Sequence, residues 1–212
     1  MRKWYPATVV VAALAASAAA LGRLPERVPV HWDAAGNVDR YGSRLEGTLL
    51  LPAVILLLAI LIPVLPRIDP RRANYEKFRP TYHLVMNATL TLMLAIHLAA
   101  LATALGVDVP VGRLVPVGVG MLFLILGNTL PRARPNWMFG IRTPWTLSND
   151  RVWERTHRVG GYLMFGAGVV VILSALLPPG GASTTLLVGS VLAASLGSIV
   201  YSYVAWRQET GR

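Results

Sequence analysis

The chain has 212 residues, of which 54% are hydrophobic and only 14% are charged, and its mean hydropathy is +0.53. Soluble domains of this size rarely have so apolar a composition, because polar side chains must cover their surface. The absence of cysteine excludes disulfide frameworks, thiolate metal sites and cysteine nucleophiles. A net charge of +10 would indicate nucleic-acid binding in a soluble protein, whereas in a membrane protein it is typical of positive charge retained in the cytoplasm.

Six apolar segments follow one another along the chain, and runs of this kind recur that are long enough to cross the hydrocarbon layer of a membrane, which is roughly 30 Å thick. Apart from Arg113, near one end of the fourth segment, none of them contains Lys, Arg, Asp or Glu. The sequence therefore predicts an all-α membrane protein, a bundle of six transmembrane helices. The segments are 6–21, 48–65, 82–105, 111–130, 160–177 and 184–206.

The distribution of Lys and Arg predicts how this bundle is oriented. Fifteen of the 20 basic residues lie in the two termini, the second loop and the fourth loop, and the other three loops hold five. Because loops rich in Lys and Arg stay in the cytoplasm, both termini are predicted to be cytoplasmic. The first segment, which begins MRK and ends ASAAALG, also resembles a signal peptide. Cleaved or not, it leaves the first loop outside the cell.

The first loop, residues 22–47, is too long to be a simple turn between helices. Its sequence LPERVPVHWDAAGNVDRYGSRLEG contains an extended Pro-Val-His-Trp run and then AAGN, which is a turn signal. We expect a small extracytoplasmic cap, a strand-and-turn structure that lies on the bundle.

Three side chains in this loop, His31, Asp33 and Asp39, raise the question of a metal site. The number of ligands is low and their spacing matches no known calcium loop, so the sequence favours no metal. Packing or ligand contact is the better interpretation of His31 and Trp32, while Asp39 with Arg40 closes the turn.

The fourth loop contains the segment PNWMFGIRTPWTLSNDRVWERTHR, residues 135–158, which is both basic and aromatic. A nucleic-acid site would need a solvated basic face with stacking aromatics, and this segment lies between membrane segments, so we expect no direct nucleic-acid binding. From Ser148 onward the pattern predicts a cytoplasmic interfacial helix in the lipid headgroup layer. Trp137, Trp145 and Trp153 would then belong to the aromatic belt.

A second interpretation of the same loop is a docking surface for a cytoplasmic partner. In Gly140-Ile-Arg-Thr-Pro-Trp145, the glycine permits unusual backbone angles and Pro144 disfavours helix at Thr143. We expect a rigid turn that presents Arg142 and Trp145, since Arg and Trp are common at binding hot spots. The two interpretations are compatible.

Polar residues also occur inside the membrane segments. At 100° per residue, four of them in the third segment form a stripe on one helical face, and Asn128 in the fourth segment is expected to face the same interior. Such residues either hydrogen-bond neighbouring helices or mark a ligand or ion path. The four are His83, Asn87, Thr91 and His97.

The chain lacks the motifs of common enzyme classes, namely HExxH, GxSxG and the Walker loop. No carboxylate lies within a membrane segment, although intramembrane proteases and proton-coupled pumps usually have one. We therefore predict that the protein is not an enzyme and binds no cofactor or metal. A receptor is the leading class of function, and a small transporter or exporter of a peptide or amphipathic compound is the alternative.

Two parts of the chain resemble known families. VPVHWDAAGNVDRYGSR resembles a bacterial domain of unknown function with a Pro-x-His pattern, a glycine in a turn, and then Asp with an aromatic residue. GNTLPRARPNWMFGIRTPWTLSNDRVWERTHRVGG resembles the signature of the SdpI toxin immunity family. The matching residues are Gly127, Asn128, Pro131, Asn136, 140–146, Trp153, Thr156 and His157.

The resemblance implies a multi-pass protein of the bacterial plasma membrane that protects its cell from a secreted peptide toxin. It also implies a receptor role, in which the protein with bound toxin holds a small winged-helix repressor at the membrane. On this basis we divide the chain into a first helix pair with its outer loop, 1–66, a cytoplasmic loop, 67–81, and an SdpI-like four-helix region, 82–212, whose signature loop is 131–159.

Two sets of candidate site residues follow from the loops and the resemblance. The first would contact toxin or another ligand outside the cell: His31, Trp32, Asp39 and Tyr41. The second would form or support the partner-docking surface inside the cell: Asn136, Gly140, Arg142, Pro144, Trp145, Trp153 and His157.

Overall fold

The computed structural model describes residues 4–33 and 35–211. Within these residues the chain forms seven α-helices, one two-stranded antiparallel sheet and two short 3-10 turns. In chain order the helices and strands are α1 (Tyr5–Leu21), β1 (Arg27–Trp32), β2 (Val38–Ser43), α2 (Arg44–Ile68), α3 (Tyr75–Ala104), α4 (Val111–Thr129), α5 (Pro144–Ser148), α6 (Asp150–Ser174) and α7 (Gly181–Thr210).

Five of the helices in the described part of the chain, α2, α3, α4, α6 and α7, are long and apolar enough to cross a membrane. The predicted all-α, multi-pass architecture is confirmed, although the predicted number of spans is not. Helix α1 is apolar but has 17 residues, which at 1.5 Å per residue span about 26 Å. Six spans were predicted, and five helices have the length and apolar character that a span needs.

Successive long helices run in opposite directions, so their connections gather at two ends of the bundle. The hairpin end holds the two strands and the connections 105–110 and 175–180. The opposite end holds the connections 69–74 and 130–149 and most of the basic residues, and we call it the arginine-rich end.

The helices pack as two groups. Helices α1, α2 and α3 contact one another, α6 contacts both α4 and α7, and the contact between α3 and α4 joins the groups. The connection from α2 to α3 is 69–74, shorter than the predicted loop 67–81, because α3 starts at Tyr75. This helix is distorted at Phe78, two residues before Pro80, where a proline ring is incompatible with a regular helical backbone.

Glycines spaced seven residues apart bring α4 and α6 into close contact. A Cβ on Gly120 would lie 2.9 Å from the carbonyl oxygen of Gly168, and a Cβ on Gly161 would lie 2.8 Å from that of Gly127. Because seven residues make about two helical turns, both glycines of each helix lie on one face. Small residues of this kind let membrane helices pack backbone to backbone.

The predicted interfacial helix is not a separate element, because α6 continues without a break from Asp150 into the fifth predicted membrane segment. Asn149 caps this helix by accepting hydrogen bonds from two N–H groups of its first turn. Trp153 and His157 are fully buried inside the protein. The assignment of Trp153 to a membrane belt is therefore wrong, since the apolar face of this segment packs on other helices and loops.

Candidate functional site

The first loop forms an antiparallel hairpin, which is the strand-and-turn structure that its sequence predicts. At the tip, the Asp33 carboxylate accepts hydrogen bonds from the N–H groups of Ala35 and Asn37, each 2.9 Å long. These bonds, that from Asn37 above all, hold the pKa of Asp33 below its usual value. Gly36 completes the turn with φ of +81°, a conformation that suits glycine.

The hairpin bridges the two groups of helices. Near its base, Val28 is 1% exposed and packs with Leu24 and Leu101 on the α1–α3 side. Its tip reaches α4, where a Cβ added to Gly36 would lie 2.9 Å from the Cα of Gly112. The backbone of the tip therefore rests directly on the first turn of α4.

A cavity of about 460 Å³ lies beneath the hairpin, between the two groups of helices. Residues of α2, α3, α4, α6 and α7 line it, and most of them are apolar or small, such as Leu51, Ile96, Val115 and Leu187. Five consecutive residues, 29–33, form its roof. Pockets for small ligands have volumes of about 300–1,000 Å³ and mainly apolar walls, so the cavity has the size and character of a ligand site.

Of the four candidate ligand-contact residues in the first loop, two line the cavity and two do not. His31 and Trp32, on β1, line the cavity, whereas Asp39 and Tyr41, on β2, do not. Asp39 instead accepts a hydrogen bond from Nδ1 of His31 at 2.6 Å, and Tyr41 is 50% exposed on the outer surface. Among the described residues no group of three or more His, Asp or Glu side chains is placed to hold a metal ion.

Only one residue of the predicted intramembrane stripe is fully buried. His97 hydrogen-bonds the hydroxyl of Ser17 at 2.9 Å, and that hydroxyl donates to the carbonyl oxygen of Thr48 at 2.6 Å. Since the Ser17 proton is used by Thr48, Nε2 of His97 is the donor to Ser17. This chain of bonds joins α1, α2 and α3, which is one of the two roles expected for such residues.

The remaining residues of the stripe are more exposed. Thr91 donates to the carbonyl oxygen of Asn87 at 2.8 Å and accepts from the hydroxyl of Tyr5 at 2.6 Å. His83 is half-buried beside the ring of Tyr82. Asn128 is exposed, so the expectation that it faces the bundle interior is wrong. The preceding residue, a glycine, takes the buried position against α6, and the next residue along a helix points about 100° away.

At the arginine-rich end, the signature loop is folded around the buried amide of Asn136. Its Oδ1 accepts from the N–H groups of Met138 and Phe139, at 2.9 and 2.6 Å, and its Nδ2 donates to the carbonyl oxygens of Arg134 and Phe139. An aspartate in the same position would lack the two amide donors. Asn136 is therefore a structural residue that fixes the path of the loop.

A buried carboxylate attaches this loop to the first group of helices. Asp69, at the end of α2, accepts hydrogen bonds from the Trp137 N–H at 2.8 Å and from the Tyr75 hydroxyl at 3.0 Å. Nearby, Arg71 forms an ion pair with Asp150 at 2.8 Å. The two groups of helices are thus joined by polar contacts at the arginine-rich end, opposite the cavity.

Gly140 and His157 fit together at the centre of the signature loop. Gly140 has φ of +107°, and a Cβ added to it would collide with Nε2 of His157. That nitrogen accepts a hydrogen bond from the Ile141 N–H at 3.0 Å, while Nδ1 donates to the carbonyl oxygen of Trp153 at 2.8 Å. These partners select the neutral tautomer protonated on Nδ1. The ring stacks on Trp153, with centroids 3.9 Å apart.

The turn that follows is held by threonines. Thr143 and Thr146 form a reciprocal capping box at the start of α5. Arg142 donates to the carbonyl oxygen of Trp137 at 2.9 Å and remains exposed, as does Pro144. Trp145 is half-buried against Tyr203 of α7, with ring centroids 5.1 Å apart. Hydrogen bonds and this ring contact hold the turn, and of its residues Arg142 and Pro144 are the most exposed.

The sequence pattern of the SdpI/YfhL protein family matches residues 132–202, which include the signature loop, α6 and most of α7. The chain is therefore similar to the SdpI/YfhL protein family over about a third of its length. A domain of unknown function (DUF1648) matches residues 8–56. The chain is also 28% identical over 148 residues to Immunity protein SdpI of Bacillus subtilis (strain 168), covering 70% of this chain and 69% of that protein. No solved structure is significantly similar.

The cavity lies where the two matched regions meet. Its roof and the α2 part of its wall fall in residues 8–56, and its α6 and α7 walls fall in the SdpI/YfhL region. Sequence reasoning found the roof residues His31 and Trp32 but missed the rest, because the walls come from five helices that are distant in sequence.

Sequence reasoning also missed Asp69, which supports the SdpI/YfhL signature loop from outside the matched region. The sequence feature that could have identified Asp69 is its position in RIDPRRANY, where it is the one carboxylate among arginines and follows an apolar segment.

Proposed function

We propose that this multi-pass membrane protein makes its cell immune to a secreted peptide toxin. The observation that carries the proposal is the similarity to Immunity protein SdpI, which extends over 148 residues and covers 70% of this chain. The cavity beneath the hairpin supports it, because an immunity protein that acts by binding needs a site at which a ligand is held.

In this proposal the hairpin end faces the outside of the cell. The two termini and the predicted second and fourth loops hold fifteen of the 20 Lys and Arg residues, and such a bias marks the cytoplasmic side. The hairpin, with His31 and Trp32 in the roof of the cavity, then meets a toxin that arrives from outside.

The second part of the proposal concerns the arginine-rich end, where the signature loop would hold a small winged-helix repressor. The rigid turn at 140–145 with exposed Arg142 and Pro144 is the surface for this contact, and Gly140 with His157 fixes its shape. Copurification of the repressor with the full chain tests this contact. We expect Arg142→Ala to abolish it and Arg158→Ala, an exposed arginine outside the turn, to preserve it.

Complementation tests the immunity function. A Bacillus subtilis strain that lacks its own SdpI is supplied with this chain and exposed to medium from a strain that secretes the corresponding toxin. Survival supports the proposal, provided that immunoblotting shows the chain in the membrane. Death at a normal membrane level contradicts it. Survival that requires export of an intact labelled toxin from the cell would instead support the alternative, a small transporter or exporter.

A further inference from the structure

We propose that the cavity beneath the hairpin binds an extended, apolar peptide segment that carries a basic group and pairs with the free edge of β1. The proposal rests on the immunity function above and states which part of a toxin the protein recognises: a short unfolded stretch, bound as a strand.

The shape of the roof indicates an extended ligand. Residues 29–33 are consecutive, and all five line the cavity. Because successive side chains of a strand point to opposite faces, a cavity against one face would be lined by alternate residues. The pairing of β1 with β2 is irregular between Pro29 and Trp32, but no residue of β2 lines the cavity, so the cavity lies on the side of β1 away from β2.

That edge is free in the structure. Within the described residues the sheet has two strands, and β1 pairs only with β2 on its other side. Alternate residues of β1 therefore direct their backbone N–H and C=O groups away from β2, except that Pro29 has no N–H. Unpaired strand edges bind extended peptides by adding a strand.

The walls indicate an apolar ligand of a few residues. Leu50, Leu51 and Ile96 lie on one side, and Val115 and Leu187 lie on the other. A volume of about 460 Å³ accommodates a few side chains and no folded domain. One strand paired with β1 would place alternate side chains into this space.

Charge complementarity indicates a basic group. Asp33 and Glu46 are among the residues that line the cavity, whereas no Lys or Arg is, and the Asp33 carboxylate also accepts hydrogen bonds from the hairpin tip. Arg40, the ion-pair partner of Glu46 at 2.7 Å, lies outside the lining. A lysine side chain or a free amino terminus on the ligand would therefore meet favourable charge at the rim.

The test uses the purified full chain in lipid nanodiscs and a fluorescent six-residue probe, lysine followed by alternating valine and isoleucine, whose binding is followed by anisotropy. Two further probes carry N-methyl groups on the odd or on the even residues. In a strand, the backbone N–H groups of only every second residue point toward the partner strand. We therefore expect one methylated probe to bind at least tenfold more weakly and the other to bind like the unmethylated probe. Equal behaviour of the two methylated probes overturns the strand pairing.

Matched variants locate the site. Leu187→Trp fills the cavity, whereas Leu186→Trp places the same side chain on an exposed position beside it. We expect at least tenfold weaker probe binding for the first variant and no change for the second. Glu46→Gln should weaken the preference for the lysine probe over one that begins with glutamate, because only Asp33 then remains, and Glu26→Gln, outside the lining, should keep the full preference. Unchanged binding in Leu187→Trp, or an unchanged preference in Glu46→Gln, overturns the proposal.

The same variants separate this proposal from the immunity function. If Leu187→Trp reaches the membrane and still protects cells from toxin, immunity holds and the cavity is not the recognition site. If the probe binds as expected but the unmodified chain protects no cell, the cavity assignment holds and the immunity function fails.

Discussion

Replacing Gly140 by alanine should destabilise the signature loop more than the addition of one methyl group at any other position of that loop. The backbone at this position has φ of +107°, where an L side chain is strained. The added Cβ also meets Nε2 of His157, the atom that accepts the Ile141 N–H. To make room, the imidazole must move, which breaks that hydrogen bond and disturbs its stack on Trp153.

The size of the effect follows from these two costs. A residue held in a sparsely populated backbone region costs about 1–3 kcal/mol. Loss of the acceptor for a partly buried N–H costs about 1–3 kcal/mol more. Together they lower the free energy of unfolding by about 2–6 kcal/mol. For a chain of this size that lowers the midpoint of thermal unfolding by at least about 4 °C.

Thermal unfolding of the detergent-purified chain, followed by tryptophan fluorescence, measures this effect. Gly166→Ala is the matched control, because Gly166 lies within α6 and a Cβ there has no neighbour within 4 Å. Alanine in a helix interior is about 0.5–1 kcal/mol more stable than glycine, so the control should unfold at the same or a higher temperature. If Gly140→Ala unfolds within 1 °C or so of the unmodified chain, the assigned roles of the glycine conformation and of the His157 contact are wrong.

Three further predictions concern other contacts. Gly112→Ala pushes against Gly36, so the hairpin should exchange its backbone hydrogens faster in deuterium exchange than it does in the unmodified chain. Because the pKa of Asp33 is depressed in the folded protein, the hairpin tip should be fully ordered above the ordinary aspartate pKa. It should lose this order as the pH falls through the lower pKa of the folded state. NMR detects this change, and Asp33→Asn should abolish it. Trp153→Phe leaves the Ala133 carbonyl without its indole donor and should destabilise the chain by about 1–3 kcal/mol, as measured by thermal unfolding.

Features set by local sequence could be predicted. The apolar segments predict the long helices, because the length and hydropathy of an uncharged run do not depend on what the helix packs against. The AAGN turn marks the hairpin, because Asp33 and Gly36 make its tip from contacts within five residues. The start of α6 is also set locally, because the Asn149 side chain accepts hydrogen bonds from the first turn of that helix.

Features set by packing between distant segments could not be predicted. The amphipathic pattern around Trp153 is the same for a helix on lipid and for one packed on protein, and only the tertiary structure shows the burial. Asn128 was misplaced because the stripe of α3 does not determine the rotation of α4, which its glycines fix. The cavity is a space between two groups of helices, and no single segment encodes it.

Protection of cells from toxin, measured side by side for the unmodified chain, Leu187→Trp and Leu186→Trp at equal membrane levels, tests the central claim most directly. We predict that the SdpI-deficient strain survives with the unmodified chain and with Leu186→Trp and dies with Leu187→Trp. Equal survival with all three would contradict recognition in the cavity, and equal death with all three would contradict the immunity function itself.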